Sequence, residues 1–223
     1  MTKTIFFDLD GTLTDPVVGI TACIQYAMVK LNLDTPARDE LTWCIGPPLL
    51  ESFAELVGRQ HAELALGYYR ERFSDIGWKE NATYPGIEDA LAQLCEAGFR
   101  LYVATSKPHI FARKIIEHFQ MGQFFEAVYG SELDGTRTDK SELLRYALAD
   151  TQTQDTAIMI GDREHDIIGA LANGMRAIGV TYGYGSAQKL LQAGATRIVD
   201  RPADLLFAIN NPGILHSRNR IDA

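Results

Sequence analysis

The chain contains short apolar runs, separated by mixed segments, that predict buried β-strands. Several of these runs are continuously apolar rather than alternating, as in strands covered on both faces of a parallel sheet. Helices are therefore expected to flank the sheet. The predicted strands are residues 4–9, 100–104, 157–160, 177–181 and 197–199, with a weaker candidate at 124–129.

Apolar residues at helical spacing lie between these runs, for example at 87–97 and 143–148. This alternation of strands and helices indicates an α/β fold with a doubly wound, Rossmann-like parallel-sheet core. Two helix starts can be anticipated. Pro108 suits a first helical turn, and Asp139 stands three residues before Glu142, as in a capping box.

Residues 14–84 break the alternation, because they carry apolar residues at helical spacing but no convincing strand. Asp15 suits the N-cap of the first helix and Pro16 its first helical position. So many consecutive helices favour a separate unit, although the alternative is that they pack directly on the sheet. We predict a discontinuous core at 1–13 and 85–223, with a helical cap domain at 14–84.

Composition and charge narrow the function classes. The formal net charge is −8 at pH 7, which argues against nucleic-acid or membrane-surface partners because both require a basic surface. Cys23, Cys44 and Cys95 form no Cys-x-x-Cys pair, so neither a disulfide framework nor a zinc site is indicated. No signal-peptide core or membrane span is recognisable. We expect a soluble, cytoplasmic monomer or homodimer with a loosely held tail after Asn210.

The strongest candidate for chemistry is Asp8-Leu9-Asp10-Gly11-Thr12, at the end of the first predicted strand. Ligands of parallel α/β sheets bind beyond the carboxyl ends of the strands, where two carboxylates one residue apart can both project. One can attack phosphorus to form an aspartyl-phosphate while the other moves protons, and Gly11 permits the sharp turn. An Asx-type turn is the alternative, whereas an EF-hand calcium loop would need glycine at its sixth position.

A second acidic pair, Asp162 and Asp166, follows the predicted strand at 157–160. A cation between them would relieve their repulsion. Mg²⁺ prefers oxygen ligands, which Asp8 and Asp162 with a backbone carbonyl near Asp10 would supply. The alternative is that both acids only favour a helix N-terminus through its dipole.

Two further features are candidates for phosphate binding. Thr105 and Ser106 lie where a predicted strand gives way to a helix, and hydroxyls with unpaired N–H groups there suit an anion. Lys140 lies beside a predicted N-cap and can supply the fixed cation that a phosphate needs among several carboxylates. The alternatives are an ordinary N-cap and a solvated surface lysine.

In this order, the motifs resemble those of the haloacid dehalogenase superfamily of phosphohydrolases. The resemblance implies a nucleophile and metal ligand at Asp8, an acid/base at Asp10 and a metal ligand at Asp162, with Asp166 as a ligand or its support. It implies phosphate binding by Lys140. Thr105 is part of the resemblance as well. The candidate substrate-binding residues are Thr105, Ser106, Gly11 and Thr12. Asp10 is included among the candidate metal ligands.

The helical insertion resembles the cap of the subclass that includes phosphoglycolate phosphatases. Residues 130–137 and 182–185 resemble a bacterial branch described as 5′-nucleotidase-like. The expected activity is Mg²⁺-dependent hydrolysis of a small-molecule phosphomonoester, either phosphoglycolate or a nucleoside monophosphate. A sugar phosphomutase and a phospho-receiver domain are the alternatives. Residues 45–48 are expected either to face the substrate or to form a plain interhelical turn.

Overall fold

The computed structural model describes residues 4–153 and 157–211, and within them six parallel strands form the main sheet. The predicted doubly wound α/β fold is therefore confirmed. A separate two-stranded ladder is antiparallel. The strands are β1 Thr4–Phe7, β2 Thr14–Asp15, β3 Ala82–Thr83, β4 Arg100–Pro108, β5 Phe125–Ser131, β6 Ile158–Gly161, β7 Arg176–Val180 and β8 Arg197–Val199.

Helices account for most of the remaining described chain. Short 3₁₀ helices occupy Asp39–Cys44, Gly77–Lys79, Met121–Phe124 and Pro202–Asp204. The α-helices are α1 Val17–Lys30, α2 Leu49–Val57, α3 Arg59–Asp75, α4 Ile87–Glu96, α5 His109–His118, α6 Lys140–Thr151, α7 Glu164–Ala172, α8 Ala187–Gln192 and α9 Leu205–Asn210.

The strand order of the main sheet is β5-β4-β1-β6-β7-β8, which puts β1 in the interior between β4 and β6. Successive side chains of a strand point to opposite faces. Ile5 and Phe7 accordingly join the apolar core under α4, α5 and α9, while Phe6 joins the core under α6, α7 and α8. Both faces of β1 are buried, which explains its continuous apolar run.

Two strand predictions need correction at their ends. The first strand ends at Phe7 rather than at residue 9, because the chain bends at Leu9 and enters a turn over residues 11–13. Strand β4 continues to Pro108, four residues beyond the prediction, because its pairing with β5 resumes after an irregularity at Thr105. The weak candidate at 124–129 is the edge strand β5, and its partial exposure explains its weaker apolar pattern.

The segment between β2 and β3 contains α1, α2 and α3, and its apolar side chains form a third buried cluster. The expectation that this stretch holds no strand is wrong in one detail, because the two-residue strands β2 and β3 pair at its base. Helix α1 also begins one residue later than predicted. Pro16 occupies the N-cap position, and the Asp15 carboxylate accepts a hydrogen bond from the backbone N–H of Val17 at 3.1 Å.

The other helix starts can be compared with the sequence in the same way. The Asp139 carboxylate accepts a hydrogen bond from the backbone N–H of Glu142 at 3.0 Å, which confirms that N-cap. Pro108 precedes α5 as its N-cap. None of the helices in the described ranges has the length and apolar character to cross a lipid bilayer. The tail beyond residue 211, expected to be loosely held, lies outside the described residues.

Candidate active site

The carboxyl ends of three neighbouring strands bring three groups of predicted site residues together. Asp8 follows β1, Thr105 lies near the end of β4, and Asp162 follows β6. The backbone N–H of Asp8 still donates to the carbonyl of Ile160 at 2.9 Å, so the first acidic residue keeps the spacing of the sheet. The parallel arrangement therefore concentrates polar residues at one edge, as expected for this fold class.

Three buried carboxylates converge at this edge. One oxygen each from Asp8, Asp162 and Asp166 lies within 4.8 Å of the others. The Lys140 ammonium lies 3.0 Å from Asp8 Oδ1 and 2.7 Å from Asp166 Oδ1, and it donates to the Ala104 carbonyl at 2.9 Å. The structure thus brings three of the four predicted acids and the predicted lysine into one cluster, with Asp10 at its border. We call Asp8, Asp10, Lys140, Asp162 and Asp166 the acidic rim.

Burial dominates the electrostatics of the acidic rim. Burial, reinforced by the charges of Asp166 and Asp8, raises the pKa of Asp162 to about 8. Burial also raises the pKa of Asp166, although the Lys140 ammonium opposes this shift. Burial lowers the pKa of Lys140, but the carboxylates of Asp166 and Asp8 outweigh it and raise that pKa overall. With one lysine beside them, ionising all of these carboxyl groups together is unfavourable, and a divalent cation would favour their ionised forms.

The carboxylates fit closely because glycines leave room for them. Gly11 has φ of +88°, and a Cβ added there would lie 2.3 Å from Asp162 Oδ2. A Cβ added at Gly161 would lie 2.1 Å from Asp166 Oδ2. Glycine is therefore required at residue 11 for two reasons. It permits the predicted turn, and any side chain there would displace a carboxylate of the acidic rim.

Asp10 has a partner that sequence reasoning missed. The Lys107 ammonium forms a salt bridge with Asp10 Oδ2, and both side chains are largely buried. Burial raises the pKa of Asp10, and the charge of Lys107 partly reverses this shift. Lys107 also lies 5.0 Å from the centre of the Phe73 ring. The sequence feature that could have identified Lys107 is its position directly after Thr105 and Ser106, in the segment where β4 ends and α5 begins.

The predicted hydroxyl residues occupy different positions. Thr105 is buried, and its hydroxyl oxygen accepts from the backbone N–H of Lys107 at 3.3 Å. The Ser106 hydroxyl donates to the Thr138 carbonyl at 2.9 Å. The Thr12 hydroxyl makes a long contact of 3.5 Å with Asp162 Oδ1. Thr105 and Ser106 line the adjoining cavity, whereas Thr12 packs behind it against a carboxylate of the acidic rim.

A cavity of about 470 Å³ opens beside Asp8 and Asp10. Its opposite side, which we call the helical wall, is formed by residues of the β2–β3 segment. Gly46, Pro47 and Pro48 are among them, so three of the four residues expected to face a substrate do line the cavity. The other residues of the helical wall are Ile20, Cys44, Leu49, Leu50, Glu51, Glu63, Leu66, Gly67, Tyr69, Arg70 and Phe73.

The acidic rim fits a hard divalent cation such as Mg²⁺. Such ions take oxygen ligands, usually one or two carboxylates together with substrate phosphate oxygens. Asp8 and Asp162 offer buried carboxylate oxygens, and Asp166 lies beside them. The Asp162 carboxylate is oriented by the backbone N–H of Tyr184, which donates to Oδ2 at 2.8 Å. Oriented ligands of this kind are typical of metal sites.

Comparisons with known proteins show the family of the chain. The sequence pattern of the haloacid dehalogenase-like hydrolases matches residues 5–180. A 5′-nucleotidase of Pseudomonas aeruginosa is 49% identical over 189 residues, covering 83% of this chain and 86% of that protein. Tyrosine-protein kinase PtkA of Mycobacterium tuberculosis is 38% identical over 202 residues, covering 90% of this chain and 69% of PtkA.

A solved structure matches nearly the whole fold. The crystal structure of a predicted phosphatase from Clostridium acetobutylicum superposes with a TM-score of 0.91 at 43% identity, covering 95% of this chain and 99% of that one. The chain belongs to the haloacid dehalogenase-like hydrolases, and it is a phosphatase of that family. The resemblance drawn from the sequence motifs is confirmed.

Proposed function

We propose that the chain is a Mg²⁺-dependent phosphomonoesterase that forms an aspartyl-phosphate on Asp8. The observation that carries this proposal is the convergence of the acidic rim. Carboxylate oxygens of Asp8, Asp162 and Asp166 lie within 4.8 Å of one another, close enough to share one cation. Lys140 lies 3.0 Å from Asp8, where its charge can also hold a phosphoryl oxygen.

The reaction has two displacements. In the first, a carboxylate oxygen of Asp8 attacks phosphorus, the bond from phosphorus to the ester oxygen breaks, and Asp10 gives its proton to the departing alcohol. In the second, Asp10 takes a proton from water while the water oxygen attacks the same phosphorus. Inorganic phosphate leaves, and the Asp8 carboxylate is restored. The raised pKa of Asp10 supports the first role, because a carboxyl group must be protonated to act as an acid.

The remaining members of the site hold the reacting groups. When bound, Mg²⁺ would offset the negative charge of the phosphoryl group and of the carboxylates. Asp8 and Asp162 would hold it, with Asp166 as a further ligand or as support and Asp10 through its backbone carbonyl. Lys140 keeps Asp8 oriented. Thr105, Ser106 and the turn at Gly11 and Thr12 would position the phosphate.

Residues 14–84 would then act as a cap over this site. Their helices share a buried cluster of their own, and the short β2–β3 ladder at their base is a narrow connection to the core. Residues of the helical wall border the cavity opposite Asp8. A cap in this place would exclude bulk water and contact the leaving group.

A nucleoside monophosphate fits the cavity better than phosphoglycolate. Phosphoglycolate is small and offers little apolar surface to a cavity whose helical wall is largely apolar. The charged side chains of that wall are of both signs, with the acidic Glu51 and Glu63 and the basic Arg70. A nucleoside offers a large flat surface to Tyr69 and Phe73, which also line the cavity. The similarity to a 5′-nucleotidase supports the same choice.

A phosphomutase would use the same rim residues, but the alcohol of a sugar phosphate would accept the phosphoryl group in place of water. Isomerised sugar phosphate with little free phosphate would favour it. A phospho-receiver domain would have about half this chain length and no helical insertion, and neither property matches.

Relatives and geometry support a small-molecule phosphomonoester as the partner. We keep a cytoplasmic monomer or homodimer as our expectation.

The test uses Asp8→Asn, which removes the anionic nucleophile with little change in shape. We expect the release of phosphate from uridine 5′-monophosphate to fall by about 10³-fold or more. EDTA should abolish wild-type turnover, and added Mg²⁺ should restore it. Acid-quenched wild-type protein should retain phosphate on an Asp8 peptide in a form that hydroxylamine releases.

Asp75→Asn is the matched control, because Asp75 is exposed at the end of α3 and lies outside the acidic rim. It should leave turnover unchanged. Full turnover by the Asp8→Asn protein, or activity that survives complete metal removal, would contradict the proposed mechanism. Equal or faster hydrolysis of phosphoglycolate would contradict the choice of substrate alone.

A further inference from the structure

Arg163 lies between two members of the acidic rim but reaches away from it. It follows Asp162 directly, and its backbone N–H donates to Asp166 Oδ2 at 3.0 Å. Its backbone is therefore part of the turn that arranges the candidate metal ligands. Its side chain, only 14% exposed, extends instead towards the β2–β3 segment.

The guanidinium of Arg163 holds two backbone carbonyls of that segment. Nε donates to the Ile45 carbonyl at 2.8 Å, and Nη2 donates to the Thr42 carbonyl at 3.1 Å and also to the Ile45 carbonyl. A planar group with several fixed donors suits this arrangement, and a lysine ammonium could not reproduce it. Ile45 immediately precedes Gly46, Pro47 and Pro48, which line the cavity.

Gly46 packs directly on the stem of Arg163. A Cβ added at Gly46 would lie 2.8 Å from Arg163 Cγ and 3.0 Å from its Nε. Gly46 also has φ of +106°, a conformation that favours glycine. Two separate features, the forked hydrogen bonds and this close packing, therefore fix the same loop against the same side chain.

Tyr184 supports Arg163 from the other side. The guanidinium carbon lies 5.6 Å from the centre of the Tyr184 ring, and Nη1 donates to the Tyr184 carbonyl at 3.4 Å. The backbone N–H of Tyr184 in turn orients Asp162, and its hydroxyl bonds to Asp15 at the base of the β2–β3 segment. Arg163 and Tyr184 thus connect the acidic rim with the β2–β3 segment opposite it.

We propose that Arg163 is a positioning residue that holds the loop at residues 45–48 at a fixed distance from the carboxylates of the acidic rim. This inference rests on the proposed function, since it assigns the loop to the part of the cavity that binds the leaving group. Arg163 itself touches neither substrate nor the reacting atoms. Its loss should weaken the binding of substrate more than it slows the chemical steps.

The first variant is Arg163→Met, which keeps an apolar stem against Gly46 and the backbone contact with Asp166 but removes every guanidinium hydrogen bond. We expect KM for uridine 5′-monophosphate to rise about tenfold, with kcat within about threefold of wild type. For p-nitrophenyl phosphate we expect the same pattern. Hydrogen–deuterium exchange of residues 42–50 should accelerate, while exchange of β6 stays unchanged.

The second variant, Arg163→Lys, separates positioning from charge, because Arg163 Nε also lies 4.0 Å from Asp162 Oδ2. A lysine preserves the positive charge but cannot donate to Thr42 and Ile45 in the same forked geometry. We expect KM of Arg163→Lys to stay nearly as high as KM of Arg163→Met. Full recovery of KM and of normal exchange would show that the charge near Asp162 is what matters, and would overturn the proposal.

The third variant changes the loop residue of the contact instead of Arg163. Gly46→Ala places a methyl group against the Arg163 stem and should reproduce the faster exchange of the loop and the higher KM. If the two residues act through one contact, the double variant with Arg163→Met will show less than the product of the two single effects. A full product would contradict a shared contact.

Arg201→Met is the matched control, because Arg201 is exposed and pairs only locally with Asp204. It should change neither KM nor loop exchange. Unchanged KM and exchange in Arg163→Met would overturn the positioning role, even if Asp8→Asn is inactive. If wild-type protein hydrolyses neither substrate, the proposed function fails, and the exchange measurements still decide whether Arg163 fixes the loop.

Discussion

The acidic rim and the helical wall border the same cavity but are stabilised in opposite ways. The rim gathers the buried charges of Asp8, Asp162 and Asp166 around Lys140, at contacts as short as 2.7 Å. The wall presents mainly apolar and aromatic side chains. Phe73, for example, stacks on Tyr69 at 5.3 Å between ring centres.

This difference predicts how each region responds to substitution. A buried charge that loses its partner retains its desolvation cost, so the rim should tolerate almost no change. Apolar contacts are less directional, so an apolar residue of the helical wall can be replaced by another of similar volume at a moderate cost in stability. The rim should therefore determine whether phosphate is transferred, and the wall which alcohol carries it.

The largest effect is expected for Lys140→Met. The variant leaves Asp8 and Asp166 without their shared cation, so turnover should fall by about 10²- to 10³-fold. The free energy of unfolding should fall by about 3–5 kcal/mol, because one partner of a buried ion pair is removed. Urea unfolding and phosphate release measure the two effects.

Added Mg²⁺ should recover part of the stability of Lys140→Met, since a ligand that binds the folded state stabilises it. Lys189→Met provides the control, because Lys189 is exposed and forms only a 3.6 Å surface pair with Glu164. Equal loss of stability in both variants would remove the distinction between the rim and the surface.

The next effect is expected for Asp10→Asn, which cannot protonate a leaving group. Hydrolysis of uridine 5′-monophosphate should fall by about 10²-fold. The loss should be much smaller for p-nitrophenyl phosphate, because nitrophenolate leaves without needing a proton. Comparing kcat/KM for the two substrates checks this, and equal losses would argue against acid catalysis by Asp10.

A smaller change, in pH dependence, is expected for Lys107→Met. The charge of Lys107 lowers the pKa of Asp10, so its removal should raise that pKa. If protonated Asp10 is the acid, activity is lost as pH rises through its pKa. The basic limb of the kcat/KM profile should therefore move to higher pH. A shift to lower pH would contradict this assignment.

The smallest effect is expected in the helical wall. Leu66→Ala removes part of the cavity lining, so KM for uridine 5′-monophosphate should rise about tenfold while kcat changes little. Leu64→Ala is the matched control on the same helix, because Leu64 is 52% exposed. Steady-state kinetics of both variants test whether the wall contacts the leaving group. A large fall in kcat in Leu66→Ala would place the wall in the chemistry.

The sequence was sufficient for the sheet and for most of the acidic rim. Apolar runs mark strands, and a parallel sheet brings their carboxyl ends to one edge, so Asp8 and Asp162 could be placed together before any distance was known. Lys140 could be proposed from its place beside a predicted N-cap and from the need for a cation among the acids, but no local pattern distinguishes it from a surface lysine, so the family resemblance added to that proposal. The ends of β1 and β4 were misplaced, since the bend at Leu9 falls on an apolar residue and the pairing of β4 with β5 resumes beyond Thr105.

Local sequence determined the elements because hydrophobic period, helix caps and turns are set by residues near one another in the chain. Only the tertiary structure decided which side chains meet across the cavity. The pairing of Lys107 with Asp10 spans 97 positions, and that of Arg163 with Ile45 spans 118. The first contact depends on the strand order that places β4 beside β1. The second depends on how the β2–β3 segment packs over the sheet, and no periodicity within either segment encodes that packing.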